Sequence, residues 1–287
     1  MSGEVTSLLK KYPFVQLNDR INALREVIQI IALKGLEKSD FFDHALFYGG
    51  TALRIFYNLD RFSEDLDFSL MRPNDAFQLT PYIDVISQEL HNHDLNFVVN
   101  YKEKKKKTHI IQGNVEGNLQ ENMRAAGLIE PSDRAFDAGR KLKIRVEVDT
   151  APPDQFQTEI MRLPGFSKTS IRLATCEYLF ADKVHAFLCR GWGQRVKGRD
   201  WYDLIWYIEH GVSLDLQHLK ARMKQTDDMI KTSLSREDLI KMIQTKIKST
   251  DIEKVKNDIR PFIKDAKILD KWNESYFIKM TESIKTE

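Results

Sequence analysis

Two carboxylates set two residues apart, Asp65 and Asp67, are the first residues in this chain whose spacing could do chemistry. Side chains alternate between faces along a strand, so positions i and i+2 project the same way. Phe62, Leu66 and Phe68 are apolar, while Ser63, Asp65, Asp67 and Ser69 are polar, the period-two pattern of a half-buried strand. Two acids on one face repel each other unless a cation lies between them. A bare Asp-x-Asp is more often an exposed strand face or a turn. The glycine pair Gly49-Gly50, a short distance upstream, favours the cation reading.

The elements that must position these acids can be read from their neighbours. Ala45-Leu46-Phe47-Tyr48 is a short apolar run ended by glycine, which reads as a buried strand. Thr51 then opens a helix carrying Ala52, Leu53, Ile55 and Phe56. A strand–Gly-Gly–helix unit lets backbone N–H groups and the positive end of a helix come close to phosphate. A Gly-Gly-Thr alone is weak evidence, because many turns need glycine. With Asp-x-Asp on the next strand, the two halves of a metal–triphosphate site come together.

Gly49-Gly50-Thr51-Ala52-Leu53, followed by Arg61-x-Ser63-x-Asp65-Leu66-Asp67-Phe68, resembles the signature of the AbiEii/AbiGii-type toxins. These are nucleotidyltransferases of the DNA-polymerase-β-like superfamily, known from abortive-infection and toxin–antitoxin systems. The resemblance runs from the first long helix to the helices after residue 200, on short and scattered motifs. It implies an α/β (α+β) nucleotidyltransferase core with a mixed sheet, expected over residues 1–155. A mainly helical subdomain over 156–287 would complete the nucleotide and substrate cleft. It also implies that Gly49, Gly50, Thr51 and Ser63 meet the nucleotide, and that Asp65 and Asp67 hold metal.

Lys141 to Thr150 contains the clearest strand pattern in the chain. Leu142, Ile144, Val146 and Val148 face one way, and Lys143, Arg145, Glu147 and Asp149 the other. On its own this is an exposed face of alternating charge that makes cross-strand pairs. The resemblance implies a third carboxylate beside Asp-x-Asp, and Glu147 is the first choice for it. Asp149, one pleat further on the same face, is the alternative. Glu177-x-x-x-x-Asp182-Lys183-x-x-Ala186 resembles the family's third motif, in which a lysine is presented to the nucleotide. A point charge there would neutralise the charge developing on leaving pyrophosphate. Asp200-Trp201-Tyr202-Asp203 resembles the fourth motif, Asp-x-x-Asp, read here as a catalytic and nucleotide-binding element. Residues i and i+3 share a helix face. Asp200 could equally be an ordinary helix-start acid. Asp203 sits among Trp201, Leu204, Ile205 and Trp206 and therefore needs a partner. Arg195, Lys197 and Arg199 are the nearest candidates in the chain. His185 reads as packing or solvent contact, since no second histidine lies four residues away.

The remaining elements read as scaffold. Ile21, Leu24, Val27, Ile28 and Ile31 repeat at helical spacing, with Asn18 as the candidate N-cap. Pro81 to His91 reads as an amphipathic helix and residues 95–101 as a strand. Lys104 to Lys107 sit on a hairpin tip, solvated or touching a phosphate backbone. Ile110-Ile111 and the stretch near Asn114 continue that hairpin. Beyond Pro152-Pro153 the pattern is helical, with Ser213 and Ser235 as N-caps and Pro261 at a boundary.

With 287 residues, 42% hydrophobic and 30% charged, the chain has an ordinary globular composition, long enough for two subdomains. A net charge of +2 is too mild to establish nucleic-acid binding. Cys176 and Cys189 match no zinc spacing and read as reduced thiols. A signal segment and an apolar run of membrane-spanning length are both missing from the pattern, so the expected location is the cytoplasm, with no membrane partner. The expected activity is Mg²⁺-dependent transfer of a nucleoside monophosphate from an NTP to an acceptor hydroxyl. Two ions are expected, with Mn²⁺ as a substitute. The resemblance implies a growth-arresting toxin with a cognate antitoxin, and transfer-RNA 3′ ends, other RNA or protein as acceptor. A metal-dependent phosphodiesterase or nuclease and a non-catalytic nucleotide or RNA binder remain open.

Overall fold

A computed structural model describes residues 3–101, 109–130, 132, 139–153, 157–189, 196–226 and 233–287. Lys104–Lys107 and Arg195 lie outside the described residues. The chain divides into two units, the first made of residues 1–56, 62–152 and 158–173.

The first unit begins with helices α1 (Gly3–Leu9), α2 (Leu17–Glu37) and the short α3 (Phe41–His44). Strand β1 (Ala45–Tyr48) leads without a loop into α4 (Gly49–Phe56), and then β2 (Leu66–Leu70) and α5 (Thr80–His91) follow. After these come β3 (Val98–Tyr101), β4 (Ile110–Asn118), α6 (Leu119–Ala125), β5 (Lys141–Asp149), β6 (Thr158–Arg162) and β7 (Ser170–Ala174). The seven strands form one mixed sheet in the order β3-β4-β5-β2-β1-β7-β6. The central strands combine antiparallel β1–β2 with parallel β2–β5 pairing.

Alternation along β5 works as its sequence predicts: Leu142, Ile144, Val146 and Val148 are buried, and Lys143 and Arg145 are exposed. Helix α2 buries the predicted stripe Ile21, Leu24, Val27, Ile28 and Ile31, and it contacts α5 and β5. Its start differs from expectation. Gln16, not Asn18, is the N-cap, closing a capping box with Asp19.

Three further differences bear on the site. Helix α4 starts at Gly49, two residues before Thr51, so both glycines lie in its first turn. Strand β2 starts at Leu66 rather than Phe62. Phe62 and Ser63 are both buried, which an alternating strand with one wet face would not allow. The carbonyl of Ser63 accepts from Gln29 Nε2, and the carbonyl of Asp65 accepts from the Thr51 hydroxyl. Side chains of α2 and α4 thus take backbone groups that a longer strand would have paired. Residues 158–173, assigned by sequence to the helical subdomain, instead form β6 and most of β7 and belong to the first unit.

The second unit comprises residues 57–61, 153–157 and 174–287. It is built from α7 (Cys176–Cys189), α8 (Gly198–Glu209), β8 (Ser213–Leu214), α9 (Leu216–Thr226), α10 (Arg236–Lys248), α11 (Ile252–Ile259), α12 (Glu274–Thr281) and β9 (Lys285–Thr286), with two 3-10 turns at Arg260–Phe262 and Ala266–Lys271. Pro261 sits in the first of these turns, at a boundary as expected. Ser235 caps α10 with Asp238 in a capping box. Ser213 does not cap a helix but lies in β8, and the Asp215 carboxylate accepts from the His218 backbone N–H at the start of α9. Core aromatic rings stack or meet edge-on: Phe180 on Tyr207, and Trp201 between Phe187 and Phe277. Neither cysteine is in a disulfide, and they stand at opposite ends of α7.

Candidate functional site

Strand register builds the first half of the site. Tyr48 of β1 is paired with Asp67 of β2, Asp67 with Glu147 of β5, and Glu147 with Gln112 of β4. Laterally paired residues share a face, so Tyr48, Asp67, Glu147 and Gln112 stand in one row across four strands. Sequence reasoning singled out the two acids. Tyr48 and Gln112 carry no signal of their own, because only the register puts them in that row.

Gly49 follows Tyr48 and has φ +82°, in the left-handed region. A Cβ built there would lie 2.6 Å from Asp67 Oδ2 and 3.1 Å from Asp67 Cβ. The absent side chain therefore serves both the turn and the close approach of the Asp67 carboxylate to the first turn of α4. The Thr51 side chain is buried and its hydroxyl donates to the Asp65 carbonyl, tying α4 to the residue before β2. Thr51 and Ser63, expected to meet the nucleotide, are both buried. Asp65 is partly exposed and precedes β2 by one residue.

Glu147 and Asp149 differ in environment. The Glu147 side chain is 27% exposed and its Oε1 lies 3.7 Å from Arg145 Nη1. Asp149 is buried, lies opposite Ser69, and accepts from the backbone N–H of Ala151 at the strand end. Among the described residues, no three His, Cys, Asp or Glu side chains are gathered as a metal cluster. The donor chemistry nevertheless fits a hard cation such as Mg²⁺. That ion takes one or two carboxylates and completes its shell with water and phosphate oxygens. Asp67 and Glu147 on adjacent strands, with Asp65 nearby and a glycine cradle against Asp67, are the residues that could hold it.

The second unit holds a different constellation. Arg61 donates from Nε and Nη2 to the two oxygens of Asp203 at 2.6 and 2.5 Å. Lys183 Nζ lies 2.8 Å from Asp203 Oδ2 and 2.9 Å from Asp200 Oδ1. The Arg61 and Asp203 side chains are only 2% and 0% exposed. Burial alone would push the Asp203 carboxyl up, but Arg61 and Lys183 outweigh it and hold it below its ordinary value. The lysine of the third motif and both acids of the fourth thus form one buried ionic cluster with an arginine. Asp203 has the partner it needed in Arg61, with Lys183 beside it. Arg199 instead stacks over the Phe262 ring, 4.3 Å from its centroid.

Asp182 was given no role from sequence. It accepts from Arg222 Nε at 2.8 Å and lies 2.9 Å from His218 Nε2, joining α7 to α9. Burial raises its carboxyl, yet Arg222 and His218 hold it well below the usual carboxylate range. His185 meets the Thr226 hydroxyl at 2.8 Å, the local packing contact expected of it.

The chain is similar in structure to MenT4, a nucleotidyltransferase toxin from Mycobacterium tuberculosis, with a TM-score of 0.54 at 16% identity, over 97% of this chain and 87% of that one. This likeness concerns the fold. JHP933 from Helicobacter pylori gives a TM-score of 0.47 at 17% identity, over 90% of this chain and 89% of that one. No curated protein sequence matches the chain significantly. The family described as nucleotidyl transferase AbiEii toxin, type IV toxin–antitoxin system, matches residues 31–276. A match of that extent, over a sheet that pairs Asp67 with Glu147 beside the Gly49 turn, makes this chain a member of the AbiEii nucleotidyltransferase toxin family.

Proposed function

We propose that the protein transfers a nucleoside monophosphate from an NTP to an acceptor hydroxyl, as the toxin of a toxin–antitoxin pair acting in the cytoplasm. The acceptor is RNA, such as a transfer-RNA 3′ end, or protein. The observation that carries this reading is the approach of Gly49 to Asp67 in a strand row that also contains Glu147.

In this reading the oxygen of the acceptor hydroxyl forms a bond to the α-phosphorus as the bond to the β-phosphate oxygen breaks. Pyrophosphate leaves, and the hydroxyl proton passes to a carboxylate, with Glu147 as the acceptor. Mg²⁺, as two ions or replaced by Mn²⁺, would be held by Asp65, Asp67 and Glu147 and would supply Lewis-acid polarisation and charge neutralisation at the phosphates. In this reading the backbone N–H groups at the start of α4, at Gly49 and Gly50, meet phosphate oxygens. Thr51 holds that turn against Asp65. Lys183 is the lysine of the third motif, and Asp200 and Asp203 hold its ammonium group.

The test is incubation with each α-labelled NTP, Mg²⁺, total RNA and candidate protein acceptors, alongside Asp67→Ala. Label transferred by wild type only, with release of pyrophosphate, supports the reading and names the acceptor class. Nucleic acid consumed without NTP would replace it with a phosphodiesterase. No label on any acceptor would replace it with a binding protein.

A further inference from the structure

A cavity of about 320 Å³ opens within the second unit, lined by none of the residues of the Asp67 row. One wall is the C-terminal half of α8, where Tyr202, Trp206 and Glu209 recur at helical spacing. The other walls are Asp60, from the segment before Arg61, and Lys271 and Trp272 at the end of the second 3-10 turn. Its volume is at the lower end of small-ligand pockets, roughly 300–1,000 Å³. That suits a single ring system better than a whole nucleotide with its phosphates.

The lining narrows the chemistry further. Trp206, Trp272 and Tyr202 give flat, apolar walls. Trp206 is also held in place by His210, stacked on it at 4.0 Å. Tyr202 donates its hydroxyl to Asp60 Oδ1 at 2.5 Å, which fixes that exposed carboxylate at the rim. Burial and then Asp60 raise the Tyr202 phenol above its ordinary range, so the hydroxyl stays a donor. Glu209 and Lys271 stand 3.5 Å apart, with side chains 44% and 52% exposed. The rim therefore offers two carboxylate acceptors and one ammonium donor around aromatic walls. A phosphate would meet two carboxylates. A simple cation would meet Lys271 and leave its donors unused. A purely apolar group would desolvate charges without replacing their hydrogen bonds. A flat heterocycle with amino donors and ring acceptors along its edge satisfies both signs at once.

We propose that this cavity binds the base of a nucleotide, and prefers bases carrying an exocyclic amino group that donates to Asp60 or Glu209. The ligand class rests on the nucleotide-transfer reading above, but the binding itself requires no transfer. The base belongs either to the donor NTP or to a nucleotide of the acceptor.

The test is saturation-transfer NMR and titration of the full chain with adenosine, cytidine, guanosine and uridine, without divalent metal. The amino-bearing nucleosides are expected to bind about tenfold more tightly than uridine, the weight of one hydrogen bond. Ile268→Phe, which fills the cavity, and the double variant Asp60→Ala/Glu209→Ala, which removes both rim acceptors, are each expected to weaken them by a similar factor. A raised KM for NTP in Asp60→Ala/Glu209→Ala assigns the donor's base, and a raised KM for acceptor assigns the acceptor's. Equal binding of uridine, no nucleoside binding, or full binding by the folded double variant Asp60→Ala/Glu209→Ala would overturn the proposal. Nucleoside binding without any transfer activity would support the cavity and sink the transferase reading instead.

Discussion

Arg61 and Asp203 are 142 residues apart in the chain and meet through two hydrogen bonds in a buried ion pair. Arg61 stands four residues before Asp65, and Asp203 carries the fourth motif, so one contact connects two distant parts of the family signature.

Arg61→Ala leaves Asp203 buried with Lys183 alone. The loss expected from breaking such a pair is about 3–5 kcal/mol. Urea denaturation measures it. The double variant Arg61→Met/Asp203→Leu, which removes both charges, should recover most of that loss. A single-variant cost below about 1 kcal/mol, the worth of a surface pair, would show that the pair carries no such weight.

Gly49→Ala combines a left-handed backbone with a Cβ placed 2.6 Å from Asp67 Oδ2. A non-glycine residue in that region costs about 1–3 kcal/mol, and the Asp67 carboxylate must move. Thermal melts and single-turnover transfer assays together check this. Activity should fall further than the melting temperature alone explains, and an unchanged rate would refute the placement.

Glu147→Gln and Asp149→Asn separate the two candidates for the third carboxylate. Glu147→Gln should cut transfer by about 100-fold or more, the scale of losing one charge-stabilising group, with little change in stability. Asp149→Asn should disturb mainly the strand end, where its oxygen accepts from Ala151. The reverse pattern in kcat would reassign the role to Asp149.

Asp182 gives a pH dependence with a definite sign. Its folded carboxyl is held below the ordinary value near 3.9. The stability it contributes is therefore present above that ordinary value and lost as pH falls through the lower folded value. Wild-type melting temperature should drop as pH falls below about 4. Asp182→Asn should start lower at neutral pH and fall less steeply in acid. Parallel slopes in calorimetry would rule this out.

Much of this was legible from the residues. The β5 alternation placed Glu147 on the wet face, and the apolar run before Gly49 marked β1. The lateral pairing of Glu147 with Asp67 was not readable from either strand, since register depends on both. Asp203 clearly needed a counter-charge, but chain proximity pointed to Lys197 and Arg199 rather than Arg61. Strand β6 was missed because it has no buried face to produce a pattern: its five residues are all partly or fully exposed. The start of β2 was misjudged because Gln29 and Thr51, distant in sequence, take the carbonyls of residues 63 and 65.

Segment 57–61 belongs to the second unit although both its flanks belong to the first, and residues 153–157 do the same. The chain thus crosses between the units several times. Neither unit is a contiguous gene fragment, so no single cut or recombination breakpoint separates the strand row from the ionic cluster. The two are inherited and expressed together, because Arg61 of the ionic cluster lies in the chain between Tyr48 and Asp67 of the strand row.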